Sequence, residues 1–197
     1  MNLTYRLLPL LMGGFLVSCS LLPAPEDTPD RFLLDALSSQ IGKNVRKKQA
    51  LIIDQPTIYT PLDNTRVAIM PTEHTLDYIA DIEWGDRLGA LVHESLIHSF
   101  QNAGAFASVG RLNSGVQGER LLAIDVRKFY QRCCDHKAEV EYFVQVFDTK
   151  DRKPLASKRF HHAFPLPDKK AITVALVLND AHQKAMEDML EWLLTLT

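Results

Sequence analysis

The sequence predicts an α+β domain: an antiparallel or mixed β-sheet with two amphipathic helices packed on one of its faces. Three observations carry this. Residues 121–130 and 140–146 alternate apolar and polar, the period of half-buried strands. Residues 84–100 and 174–196 repeat apolar residues every three or four positions, the period of helices that bury one side. The order is strands, helix, strands, helix, which favours helices gathered on one face of the sheet.

Before the domain stands an apolar run, Leu7 to Val17, preceded by Arg6 and closed by Leu16-Val17-Ser18-Cys19. A charged start, a short apolar core and a small residue before a cut describe a secretory signal. As a helix the run covers roughly 16 Å, about half a hydrocarbon core, so it is too short to span a membrane. Leu-Val-Ser-Cys resembles the bacterial lipobox, in which the Cys is lipidated on sulfur, the chain is cut before it and the new amino group is acylated. The alternative is an ordinary signal with an incidental Cys. The lipobox reading sets the expected organisation: a cleaved signal over 1–18, a lipidated N-terminus and Pro-rich tether over 19–30, and one domain over 31–197. One acyl chain attaches reversibly and two signals hold stably; the resemblance implies three chains on Cys19. Ser20, not Asp, follows, which resembles the signal for export to the outer membrane, periplasmic face.

Loss of residues 1–18 takes Arg6 with it and moves the formal charge from -2 to -3. Such a balance gives no surface for a polyanion, and no nucleic-acid partner is expected. No later stretch is apolar and long enough to span a bilayer. With Cys19 lipidated, only the adjacent Cys133 and Cys134 remain, which is no spaced disulfide framework.

Taken in order, the tether holds three prolines and two acids between Ser20 and Asp30, an extended spacer. Arg31-Phe32-Leu33-Leu34 reads as a short first strand. Residues 35–49 are ambiguous; their basic cluster, Lys43, Arg46, Lys47 and Lys48, is either a patch for anionic headgroups or a solvated loop. Leu51-Ile52-Ile53 is a strand ended by Pro56, residues 60–64 a turn, and Arg66–Met70 a strand stopped by Pro71. Thr75–Ile79 would pair with it. A helix runs from Glu83 to about Asn102, with Trp84, Leu88, Leu91, Val92, Leu96 and Phe100 on one face and Gly104 as a left-handed cap. Phe106–Val109 starts a strand. Leu121–Tyr130, with Leu122, Ile124, Val126 and Lys128 on one face, forms a hairpin with the strand of Val140, Tyr142, Val144 and Val146. Leu155–Phe164 returns. Asp168 is a candidate N-cap for a helix from Lys169 to about Leu196, with Asn179-Asp180 as a candidate kink.

Several of these stretches share a further pattern: Arg31–Leu34, Leu51–Pro56, Leu62-Asp63 with Arg66-Val67-Ala68, Tyr78 followed by Glu83-Trp84, Leu91–Leu96, Ala103-Gly104-Ala105-Phe106, Leu121–Phe129 and Glu191-Trp192-Leu193. Together they resemble the auxiliary lipoproteins of ABC-type transport systems, including the paraquat-inducible lipoprotein that works with MCE-domain proteins. The resemblance spans almost all of 31–196. Ile79 stands where a second Tyr is usual, and residues 35–49 match no clear pattern. The resemblance implies a non-catalytic periplasmic α/β domain that docks on a transporter's periplasmic component. Docking candidates are Tyr78 and Trp84; Trp84 is either core, stapling the helix start to the sheet, or part of a docking patch.

His93 and His98 echo a zinc-protease motif but lie five apart, about 140° around a helix, where i and i+4 are needed. They read as two polar-face histidines. Cys133, Cys134 and His136 are weak metal candidates, with His161-His162 on the next strand; the Cys pair could also form a disulfide or simply end a hairpin. No phosphate-cradling glycine loop and no nucleophile elbow is present, so no enzyme is expected, and no cofactor beyond the lipid on Cys19. The leading expectation is a lipoprotein that tethers an MCE-type transport bridge at the outer membrane. Its expected partners are the membrane, an MCE-domain protein and phospholipid as cargo, with a homo-oligomer left open. The alternative is a carrier lipoprotein holding a small hydrophobe between sheet and helices, which requires an apolar pocket.

Overall fold

The structure is a computed structural model that describes residues 28–38, 49–115 and 118–196. Cys19 and the basic cluster Lys43–Lys48 lie outside the described residues. The strands are β1 (Asp30–Phe32), β2 (Leu51–Ile53), β3 (Thr57–Ile58), β4 (Arg66–Thr72), β5 (Thr75–Trp84), β6 (Val109–Arg111), β7 (Arg120–Arg132), β8 (Lys137–Asp148) and β9 (Pro154–Pro165). The helices are α1 (Leu88–Ala103) and α2 (Ala171–Thr195). All nine strands join one open mixed sheet. The predicted fold class is the one observed.

β7 organises the sheet. One edge pairs antiparallel with β8 along its whole length, and β8 pairs with β9. Its other edge takes three short parallel partners in turn: β2, β3 and β4. From these the sheet forks, β2 leading to β6 and β4 through β5 to β1. Both helices lie on one face and meet each other, Ser95 of α1 reaching His182 of α2. The core between them takes Leu122, Ile124 and Val126 from β7 and Val140, Tyr142 and Val144 from β8, as the alternation predicts. Ala181 and Ala185, fully buried, let α2 lie close on β8 and β9.

Several details differ from the sequence reading. Trp84 ends β5 beside Phe32 of β1 and does not begin α1; its backbone N–H donates to Thr65 O, just before β4, at 2.6 Å. The helical spacing from Trp84 to Leu88 is incidental, because both a strand end and a helix start face the same core. β4 runs through Pro71, where the register against β5 shifts, one of the few sheet positions a proline tolerates. β5 likewise outlasts Ile79 by way of a bulge in which Asp81 takes φ 64°. β3 was not foreseen, and β6 starts at Val109, three residues later than expected. A register shift between Val126 and Lys128 flips β7, so Phe129 and Gln131 face inward where Lys128 was expected. Asp168 is not the N-cap; Lys170 is, and Asp168 Oδ1 accepts the Lys170 N–H at 2.9 Å. Gly104 does take the left-handed cap, φ 62°.

The Leu62-Asp63 pair has a physical reason. Leu62 is buried, and Asp63 holds the start of α1 from outside it: Oδ1 accepts the Gly89 N–H at 3.0 Å and Oδ2 pairs with Arg87 at 2.6 Å. The carboxylate thereby satisfies an orphan donor and complements the helix dipole.

Candidate functional site

The fold places both docking candidates. Trp84 is 2% exposed and meets Phe129 edge-on at 5.7 Å between centroids, so it takes the core position of its two readings. Tyr78 is half-buried, its hydroxyl donating to Pro61 O at 2.9 Å while Arg66 lies over its ring at 3.6 Å. It braces the 60–65 turn.

The Cys133–His136 cluster forms the β7–β8 turn. Both thiols are free, and Asp135 is bound by Arg132 at 2.6 Å, which holds its carboxyl down at about 2. Burial, then the neighbouring Cys134, pushes the Cys133 thiol up, which lowers its thiolate fraction. His161 and His162 do not join them: they pair with Glu141 and Val140, several residues down the strands. Among the described residues no group of three His, Cys, Asp or Glu side chains could hold a metal ion. His93 is not on the polar face as expected; it is buried, its Nε2 at 3.2 Å from Ile53 O, while His98 stays outside near Glu94. His93, Arg111 and Glu94 line a polar cleft of about 350 Å³ beside the ends of β2 and β6.

Two constellations escaped the sequence reading. The first is a chain of polar groups through the core. Leu37 N–H donates to Ser99 Oγ at 2.9 Å, and Ser99 Oγ donates to Ser95 O. Ser95 Oγ donates to Val92 O at 3.1 Å and accepts from His182 Nε2 at 2.6 Å. Tyr142 donates to His182 Nδ1 at 2.6 Å. With Ser95 donating to Val92 O, a neutral imidazole that carries its proton on Nε2 satisfies both neighbours. Burial drives the His182 pKa down to about 3 and the Tyr142 phenol well above its ordinary value. A hydroxyl–imidazole pair would suit nucleophilic catalysis in a cleft. Here His182 has no exposed surface and the hydroxyl proton is spent on a helix carbonyl, so the arrangement clamps α1, α2 and β8 together. Beside it, Asp35 and Asn179 exchange two hydrogen bonds, at 2.9 and 3.0 Å, and fasten the segment after β1 to α2.

The second lies on the helix-free face of the sheet. Glu139 is 2% exposed and Glu141 nearly as buried, and Lys128 bridges both at 3.3 and 3.7 Å while Arg132 reaches Glu139 at 3.3 Å. Their place opposite Val140 and Tyr142 in the alternation reads as solvent-facing; the long cations laid over them bury them.

β9 supplies the remaining surface. Among the described residues it pairs only with β8, so its outer edge is open. Beside that edge runs a groove of about 610 Å³ lined by Lys158, Phe160 and His162 from β9 and Asp188, Glu191 and Trp192 from α2. Trp192 stands edge-on to Phe160 at 5.6 Å and His162 reaches Asp188 at 3.0 Å. The edge carries main-chain donors and acceptors along 12 residues, with prolines at both ends and Lys158 and Arg159 between them as guards against indiscriminate pairing. A smaller space at the C-terminal end of α2, bordered by Leu51, Phe106, Val146 and Leu193 with Gln49 and Arg120, measures about 20 Å³, room for about one water.

A family model described as ABC-type transport auxiliary lipoprotein component matches residues 32–190. No curated protein matches the chain. Among solved structures, protein XCC0632 from Xanthomonas campestris superposes with a TM-score of 0.76 at 20% identity, covering 84% of this chain and 95% of its own. An uncharacterized protein gives 0.67 at 13% identity, covering 85% and 99%. The hypothetical protein CT253 from Chlamydia trachomatis gives 0.52 at 9% identity, covering 76% and 98%. At these identities the structures are alike in fold.

Proposed function

The chain belongs to the family of ABC-type transport auxiliary lipoprotein components, and from that premise we propose that it is lipid-anchored through Cys19 at the periplasmic face of the outer membrane. There it docks the periplasmic MCE-domain bridge of a transporter that passes phospholipid across the envelope. The observation that carries this is the family match over residues 32–190, joined to the lipobox-like Leu16-Val17-Ser18-Cys19. Its work is to hold a partner in place; the ATPase and permease are separate subunits.

We assign the docking face to the outer edge of β9 and its groove. An open strand edge offers affinity through main-chain hydrogen bonds, and a flanking aromatic such as Trp192 offers specificity. The carrier alternative would need an apolar pocket larger than the 20 Å³ space beside Leu193, which no acyl chain fits. Two measurements test the proposal. Cys19→Ser should move the protein from the outer-membrane fraction to the soluble periplasm. A photo-crosslinker at Lys158 should capture an MCE-domain protein after mild extraction, and repeated failure of that capture while membrane attachment persists would count against the docking role.

A further inference from the structure

The direction of the chain at Thr28 singles out one end of the domain. β1 runs parallel to β5, with Asp30 beside Ile82 and Phe32 beside Trp84. β5 begins at a hairpin end, where Thr75 faces Thr72. Thr28 and Pro29 therefore lie toward the end that carries the β4–β5 and β7–β8 turns. α2 starts at that same end: Leu166 N–H donates to His136 O at 2.9 Å, and Lys169 is near enough to act on the Cys133 thiol. Further along, Asp35 meets Asn179. Five extended residues back from Asp35 and nine helical residues back from Asn179 both cover roughly 15 Å. Asp30 and the first turn of α2 thus stand at similar height.

That end of α2 has an unusual outer side. Ile172 is 45% exposed and Leu176 50%, one turn apart, with exposed Lys169 and Lys170 just before them, Lys170 standing 3.9 Å from Asp168. Beyond Leu176 the outer side turns to Asp180, Lys184, Glu187 and Glu191. The helix is mostly apolar and basic at the end toward which Thr28 points, and mostly acidic away from it.

We propose that Lys169, Lys170, Ile172 and Leu176 form a seat on the lipid surface itself, the two cations against anionic headgroups and the two aliphatic side chains in the interface. This rests on the reading that Cys19 is lipidated. Residues 20–27 separate that anchor from Thr28 and reach about 30 Å at full extension. The anchor holds the patch beside lipid at high effective concentration, so a contact too small to bind a free protein is enough to orient a tethered one. Seating this end turns the acidic half of α2 and the β8–β9 turn away from the bilayer, and leaves the edge of β9 reachable from the side.

The test uses the full lipid-anchored protein in vesicles of phosphatidylethanolamine and phosphatidylglycerol that contain a nitroxide-headgroup lipid. One fluorescent label sits on Cys134, with Cys133→Ser; another sits at the far end through Asp151→Cys, with both native thiols replaced by Ser. Quenching several-fold stronger at Cys134 is expected. Ile172→Glu with Leu176→Glu should erase that difference while leaving flotation with the vesicles unchanged. Equal quenching at the two positions, or a difference the double variant does not touch, overturns the proposal. Self-association of the parent that the double variant abolishes would assign the patch to a second copy and overturn it too. A protein that fails to float and carries unmodified Cys19 would sink the anchor reading, and this proposal with it.

Discussion

Acid should destabilise this protein through His182. An exposed imidazole titrates near 6.5, whereas burial holds His182 at about 3. Between those values the unfolded chain binds a proton that the folded chain refuses, so stability rises with pH there. The contribution is fully present above about 6.5 and is lost as the pH falls toward about 3. Over the whole window it amounts to roughly 5 kcal/mol, and between pH 7 and pH 5 to about 2 kcal/mol, with a limiting slope near 1.4 kcal/mol per pH unit. Urea titrations at half-unit steps from pH 7.5 to 5 would measure it. His182→Gln keeps a donor and an acceptor in the core and cannot titrate, so its stability curve should be flatter than the parent's by about 2 kcal/mol over pH 7 to 5. Its absolute stability at pH 7 is expected to fall by about 1–3 kcal/mol as the Ser95 and Tyr142 hydrogen bonds lose their geometry. Parent and variant curves that descend in parallel would refute the reasoning, because the titrating group would then lie elsewhere.

Other substitutions follow from the same contacts. Asp63→Ala removes the outside support of the α1 start and should cost about 1–2 kcal/mol in urea unfolding. Trp84→Ala should cost about 3–5 kcal/mol by opening a cavity against Phe129, and, at equal folded concentration, leave any partner's affinity unchanged in a binding titration. Glu139→Leu strips Arg132 and Lys128 of a shared buried carboxylate; since both cations are partly exposed, a loss of about 1–2 kcal/mol is expected by thermal unfolding. Gly118→Ala would press a methyl to 2.9 Å from Ala50 O, in backbone that cannot swing aside, and should cost at least about 1 kcal/mol by the same measure.

What the sequence revealed and what it hid divide along a physical line. Strands β7, β8 and β9 and both helices are long and face one core, so their periods are sustained and their identities readable. β3, two residues long, repeats nothing. The flip at Lys128 and the bulge at Asp81 change the facing of residues without changing composition, and period-two reasoning carries straight past them. Trp84 misleads for the opposite reason: its residue type fits either element, and the pairing with Phe32 and the bond to Thr65 O say which. For the site, His182 did leave a trace. It stands between Leu178 and Met186 at steps of four, on the buried stripe, where a histidine must find partners.

Those partners are what the sequence could not supply. Ser95 lies 87 residues from His182 and Tyr142 lies 40 away, and no local rule links them. Yet the pairing constrains the fold more sharply than the apolar contacts around it do. A leucine stripe can slide by a turn against a sheet and still bury its area. A neutral imidazole that needs an acceptor on one side and a donor on the other cannot, because a one-turn shift of α2 would strand three buried polar groups at about 1–3 kcal/mol each. The network therefore sets the register of α2 against α1 and β8. That register in turn aligns Trp192 with the edge of β9 and puts Lys169–Leu176 at the end that carries the β4–β5 and β7–β8 turns. A Ser95→Ala, Tyr142→Phe double variant should then bury nearly the same apolar area yet lose this alignment. Looser hydrogen-exchange protection in α2, with little change in helix content, is the signature that follows.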